Sequence, residues 1–309
     1  MQNTTSTLSK VPAVTAAFWL TKIAATTLGE TGGDAVTMSM DLGYLTGTLI
    51  FAAIFLAAVV VQIRHHSFNK WIYWFTVVAT TTVGTTLADF ADRSLGIGYL
   101  GGTVLLSSLL VLSLLVWRVT CGTIAVDSVN SVRTESFYWV TIMFSQTLGT
   151  ALGDWTADSE GFGYDGGILL FVGALAVIWL ASRFTSISRT VLFWAAFILT
   201  RPLGAVVGDF LDKPIAKGGL ELSRYGASAT LVGMILVCLW VFPHRAALKK
   251  TRAGILSFSL LPAARAAGSP LCFSFHNGFA LAALCRTLSL STHAGSSNDT
   301  LLVERFTRS

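Results

Sequence analysis

Charge is scarce in this chain. Of 309 residues only 12% are Asp, Glu, Lys or Arg, against 53% hydrophobic, whereas a soluble domain carries about a quarter charged residues. Proline is rare too, with six in all. The four cysteines, Cys121, Cys238, Cys272 and Cys285, form no CxxC pair, so neither a disulfide framework nor a zinc site is expected. No GxxxxGK loop, HExxH or GxSxG is present, which leaves nucleotide-driven pumping and hydrolase chemistry without a signal. No cofactor, metal or enzymatic activity is therefore expected. The N-terminus is polar, and its first apolar segment contains Lys22 and Glu30, unlike a cleavable signal peptide.

Long apolar runs are abundant. Tyr44–Ile63, Tyr99–Trp117, Ile168–Ala181 with its flanks and Ala227–Phe242 each approach the roughly 20 residues that cross a bilayer. Mean hydropathy is +0.67. The expected class is an all-α polytopic membrane protein whose main partner is lipid.

Four segments repeat one pattern: FWLTKIAATTLGETGGD (18–34), YWFTVVATTTVGTTLAD (73–89), YWVTIMFSQTLGTALGD (138–154) and FWAAFILTRPLGAVVGD (193–209). They align without a gap. LGYLTG, IGYLGG and FGYDGG open a second apolar run in the first three copies; the fourth has SRYGAS after a six-residue insertion. Each repeat is expected to be a hairpin of two spans, giving eight helices in four parallel hairpins, at 14–63, 71–117, 137–181 and 190–243. Copies are offset by 55, 65 and 55 residues, as duplication of a two-repeat half would leave them. The tail 253–309 lies outside the pattern, is broken by Pro262 and Pro270, and is expected to be weakly ordered or disordered.

Basic residues concentrate outside the hairpins and acidic ones in the turns within them. By the positive-inside rule both ends of the eight-helix unit are expected on the cytoplasmic side. The net charge of +5 then reflects topology, and nucleic acid is not an expected partner. His65–His66 sits in a short basic loop and reads as a solvated pair.

The pairs Gly29/Gly33, Gly84/Ala88, Gly149/Gly153 and Gly204/Gly208 are small residues one turn apart. Such pairs let helix backbones approach closely in lipid. Four in register predict that the first helices pack on one another, or on their own second helices, in equivalent ways. Beside them runs a polar stripe at four-residue steps: Asp34, Glu30, Thr26, Lys22; Asp89, Thr85, Thr81, Val77; Asp154, Thr150, Gln146, Ile142; Asp209, Ala205, Arg201, Phe197. Trp19, Trp74, Trp139 and Trp194 read as interfacial anchors, which puts each Asp about 22 Å along its helix, in the outer quarter of a core about 30 Å thick.

Each Asp could simply end its helix at the outer surface. A carboxylate there opposes the helix dipole, which favours a set facing a polar path, where intramembrane carboxylates bind cations or relay protons. Lys22, Glu30, Gln146 and Arg201 extend that candidate path, and Arg201 beside Pro202 suggests a locally opened helix. One reading is thus a secondary transporter or permease for a small solute, foremost a cation. The other is a scaffold or sensor whose polar groups only fix helix pairing. Substrate, oligomeric state and the arrangement of the aspartates, one ring or two pairs, stay open here.

The Trp-bearing, Gly-Asp-ending copies resemble a family of bacterial membrane proteins with four tandem two-span repeats of unknown function, often labelled uncharacterised membrane-anchored protein. The resemblance covers about residues 14–243 and implies a bacterial inner membrane. It implies no substrate.

Overall fold

The computed structural model describes residues 8–159 and 161–248; the tail 253–309 lies outside them. Among the described residues are eight α-helices: α1 (Ala16–Asp34), α2 (Gly43–Arg64), α3 (Lys70–Asp89), α4 (Gly98–Cys121), α5 (Val132–Asp154), α6 (Gly163–Phe184), α7 (Arg189–Asp212) and α8 (Arg224–Val241). Side chains fix several starts. Thr15 accepts from the Phe18 N–H, Asn69 from those of Trp71 and Ile72, and Ser131 forms a capping box with Thr134.

In the first three repeats the odd-numbered helix does not stop at its Asp. It continues as one π-helical turn, Ala35–Ser39, Phe90–Ser94 and Trp155–Ser159. Two left-handed residues follow in each case, Asp41/Gly43, Gly96/Gly98 and Gly161/Gly163, with φ between 54° and 74°. The second of each pair is always glycine, the residue that reaches this region without strain. Repeat four departs. Its helix runs on to Asp212, and the insertion forms a short 3₁₀ turn at Ile215–Lys217.

These turns carry the chain sideways, with a consequence for packing. Helices α1, α3, α5 and α7 close into an inner ring, each touching the next and α7 touching α1. Outside it, α2 lies on α3, α4 on α5, α6 on α7, and α8 on α1. Each outer helix thus rests on the inner helix of the following repeat, and the last closes onto the first. Of the two packing expectations, inner helices on one another is the one realised; packing of a hairpin on itself is not.

Five helices, α2, α4, α6, α7 and α8, are long and apolar enough to cross a membrane. The outer ones present large apolar side chains outward, among them Leu49, Val119, Leu169 and Trp240. This is a membrane protein. Helices α1, α3 and α5 are of similar length but more polar, which fits their burial by other helices rather than by lipid.

At the end of the bundle holding the chain termini of the repeat unit, an aromatic cluster fills the ring. Tyr73 and Tyr138 share a hydroxyl hydrogen bond of 2.6 Å, Trp194 packs edge-on against Tyr138 and Phe193, and Phe18 lies tilted on Phe193. Trp74, Trp139 and Trp194 are buried here, and only Trp19 is partly exposed. The anchoring role expected of these tryptophans is corrected for those three: a ring of four helices turns them inward. Lys10 crosses beneath, donating to the Gln62 and Ile63 carbonyls at 3.0 Å and pairing with Glu135 at 2.6 Å.

Candidate functional site

The glycine faces and the polar stripes belong to one interface. A Cβ built on Gly29 would meet the Cβ of Thr81 at 2.5 Å; on Gly84, that of Gln146 at 3.0 Å; on Gly149, that of Arg201 at 2.5 Å; on Gly204, that of Thr26 at 2.6 Å. Each stripe residue two turns below its Asp therefore sits in the notch left by the neighbouring helix's first glycine. The second small residue receives the next layer: Gly33 faces Thr85, Gly153 faces Ala205 and Gly208 faces Glu30, while Ala88 is buried in the same row. The threonines add hydrogen bonds across the seams, Thr81 to the Ala25 carbonyl at 3.1 Å and Thr26 to that of Thr200 at 3.3 Å.

Viewed along the ring axis, the stripes stack in four layers. The outermost holds Asp34, Asp89, Asp154 and Asp209, all buried. They are bridged as two pairs. Arg93 binds Asp89 at 2.8 Å and Asp154 at 3.2 Å; Lys213 binds Asp34 at 2.6 Å and Asp209 at 3.1 Å. Both cations stand four residues after the Asp of their own repeat and reach the Asp of the next. Burial works against the Lys213 ammonium, but Asp209, Asp34 and Asp212 outweigh it and raise its pKa above the ordinary lysine value. Arg224, at the foot of α8, holds Asp212 at 2.9 Å and donates to Ser39 at 3.2 Å.

In the second layer Glu30 lies beside this set: one oxygen each of Glu30, Asp34 and Asp209 fall within 4.8 Å of one another. From the third layer Arg201 reaches up to all three other inner helices. Its Nη2 donates to Glu30 at 3.0 Å, to Thr85 at 2.6 Å and to Thr150. Helix α7 passes through Pro202 unbroken, so the opened helix expected there is not found. The proline ring instead packs toward Gly149, and neighbouring helices make such a residue tolerable within lipid.

The fourth layer is Lys22, Val77, Ile142 and Phe197, each 0–1% exposed. The Lys22 ammonium lies 3.8 Å from the centre of the Phe197 ring and has no hydrogen-bond partner among the described residues. Gln146 is buried, and neither end of its amide is paired among the described residues. The ring brings the aspartates, Glu30, Gln146, Arg201 and Lys22 named from the sequence to one axis. Arg93 and Lys213 are not among those named. A signal was available: a basic residue four after the Asp recurs only in repeats two and four, 120 residues apart.

Four consecutive stretches, 17–67, 72–123, 137–188 and 192–246, match a single family, described as Repeat of Unknown Function (DUF347). The chain belongs to this repeat family. No curated protein and no solved structure matches it. The four matched stretches coincide with the four helix pairs, so the repeat described in the family is one inner helix with the outer helix that follows it.

Proposed function

We propose that this chain spans a bacterial inner membrane eight times, with both ends of the helical unit in the cytoplasm, and carries a small cation along the axis of its inner ring. The observation that carries this reading is a charge imbalance. Around the outer half of the axis stand five buried carboxylates, Asp34, Asp89, Asp154, Asp209 and Glu30, against three cations, Arg93, Lys213 and Arg201. Lys22 lies a layer below Arg201, two turns from Glu30. Uncompensated charge inside a bilayer costs several kcal/mol, so intramembrane carboxylates in excess take up protons or metal cations. Glu30, Asp34 and Asp209 supply the closest oxygen set, and Lys213 is a tethered cation that an incoming ion would displace. Below it, Arg201 and the Lys22–Phe197 layer close the axis, as a gate would. The role is not enzymatic.

Flux measurements in proteoliposomes test this. Asp34→Asn and Asp209→Asn, singly and together, are expected to abolish uptake of the monovalent or divalent cation that the wild type carries, in protein that still reconstitutes as a folded, monodisperse species. Uptake unchanged in the double variant would sink the reading. A second reading, a non-transporting scaffold or sensor, is favoured by the interlock itself, since most stripe residues already have a packing partner. It expects no cation flux in the wild type and a lowered Tm for Asp209→Asn.

A further inference from the structure

The closure between the first and last repeats leaves a lateral groove. Its cavity, about 770 Å³, lies between α1, α6 and α7, with Ile23, Phe193, Ala196 and Leu175 on its walls, Trp179 at its rim and Arg189 at its mouth. From Arg189 to Thr200, both of which line it, α7 rises about 16 Å, half of a hydrocarbon core about 30 Å thick. The groove therefore serves one leaflet, that of the basic loops. A membrane-spanning helix of a partner would need twice that length.

Its mouth is polar in a particular way. Arg189 is exposed and uses Nη1 to hold the Ser182 carbonyl at 2.6 Å. Arg183, also exposed, lies 5.7 Å over the Trp179 ring, so its guanidinium stands at the same rim. Asp127 is the acid at this mouth, leaving two arginines against one carboxylate. An apolar trough of one-leaflet depth under paired guanidinium groups has the chemistry of a phospholipid site: acyl chain in the trough, phosphate at the arginines.

We propose that the α1/α7 groove binds an anionic phospholipid of the cytoplasmic leaflet, which seals the seam where the ring closes without a covalent link. The leaflet assignment rests on the proposed orientation of the basic loops, while the groove's chemistry is independent of the cation reading. The test is native mass spectrometry and thermal melting of the full chain in detergent, titrated with phosphatidylglycerol or phosphatidylcholine. With each arginine contributing what a basic residue does near an anionic surface, phosphatidylglycerol is expected to bind about 30-fold more tightly and to raise Tm. Arg183→Gln/Arg189→Gln should erase the preference while leaving the lipid-free Tm unchanged. Ala196→Trp, which fills the trough, should abolish retention of both lipids; if that variant fails to fold, the arginine pair decides alone. Equal binding of the two lipids, or wild-type preference in the arginine variant, overturns the proposal. So does a lipid-free dimer, which would assign the groove to a second copy of this chain.

Discussion

The contact that ties the ring together at mid-depth is Arg201, and a double-mutant cycle with Glu30 measures it. Arg201 is wholly buried, with Glu30 at 3.0 Å and hydroxyls of Thr85 and Thr150 on the same nitrogen. Arg201→Met keeps the stem that fills the Gly149 notch and removes the guanidinium with its charge and hydrogen bonds. Glu30 is then a buried carboxylate without its partner, a change that costs about 3–5 kcal/mol. Two hydroxyl contacts are lost as well, each about 0.6 kcal/mol by membrane-helix precedent. Glu30→Gln, leaving the cation alone, should cost a similar amount. If the two acted independently the double variant would lose about 7–11 kcal/mol. Because it retires both charges together, it should lose only about 2 kcal/mol, a coupling of several kcal/mol. Tryptophan fluorescence during SDS titration of mixed micelles reads all four proteins, helped by the nine tryptophans. Additive losses, with coupling under about 0.5 kcal/mol, would refute the reasoning: the pair would then be a proximity without energetic unity.

Two further outcomes follow from the packing. Gly149→Ala places a methyl 2.5 Å from the Arg201 Cβ and 3.1 Å from the Pro202 Cδ and should cost about 1–3 kcal/mol. Gly173→Ala in α6 meets nothing within 4 Å and should gain about 0.5–1 kcal/mol; the same SDS titration compares them, and a neutral Gly149→Ala would undo the interlock. The outer layer closes where α8 rests on α1, with Thr31 on Ser228, hydroxyl to hydroxyl at 2.9 Å. In a background without the four native cysteines, Thr31→Cys/Ser228→Cys should crosslink on oxidation. Thr31→Cys/Gly47→Cys, which would join α1 to its own hairpin partner, should not; gel mobility distinguishes the two, and the reverse pattern would overturn the placement of α8.

Much of this is legible in the sequence. Helix pairs, their fourfold recurrence, the small-residue face and the polar stripe are properties of spacing along one helix, and spacing is what a sequence states directly. What the stripe faces is not such a property. Glycine and stripe lie side by side on each helix, so a cavity lined by stripes and a ring with stripe seated on glycine are equally consistent with the string of letters. Only the closure of four helices makes the neighbour's Gly149 the seat of Arg201. The tryptophans illustrate the same limit. An aromatic pair at a helix start reads as a lipid-facing belt, yet a four-helix ring has an inside at that depth too, and Trp74, Trp139 and Trp194 are there. Arg93 and Lys213 were overlooked because they stand beyond the aligned motif, in turns where a basic residue needs no special reason.

The depth profile of symmetry bears on where function resides. At the mouth the carboxylates are fourfold, one per repeat. The cations that bridge them are twofold, Arg93 and Lys213, matching the 55/65/55 spacing of a duplicated half. One layer deeper only one repeat has a carboxylate, Glu30, and below it only one has a guanidinium, Arg201; deeper still Lys22 stands alone against Val77, Ile142 and Phe197. Symmetry is lost progressively toward the middle of the bundle, where a charge is most expensive to keep. Packing alone would be served by threonine or alanine at every one of these sites, as it is at Thr26, Thr81 and Ala205. The repeats therefore diverge most where a charge costs most to keep, and the three charged departures, Glu30, Arg201 and Lys22, are all on the helices that meet at the α1/α7 seam, while the uncharged one, Gln146, is on α5.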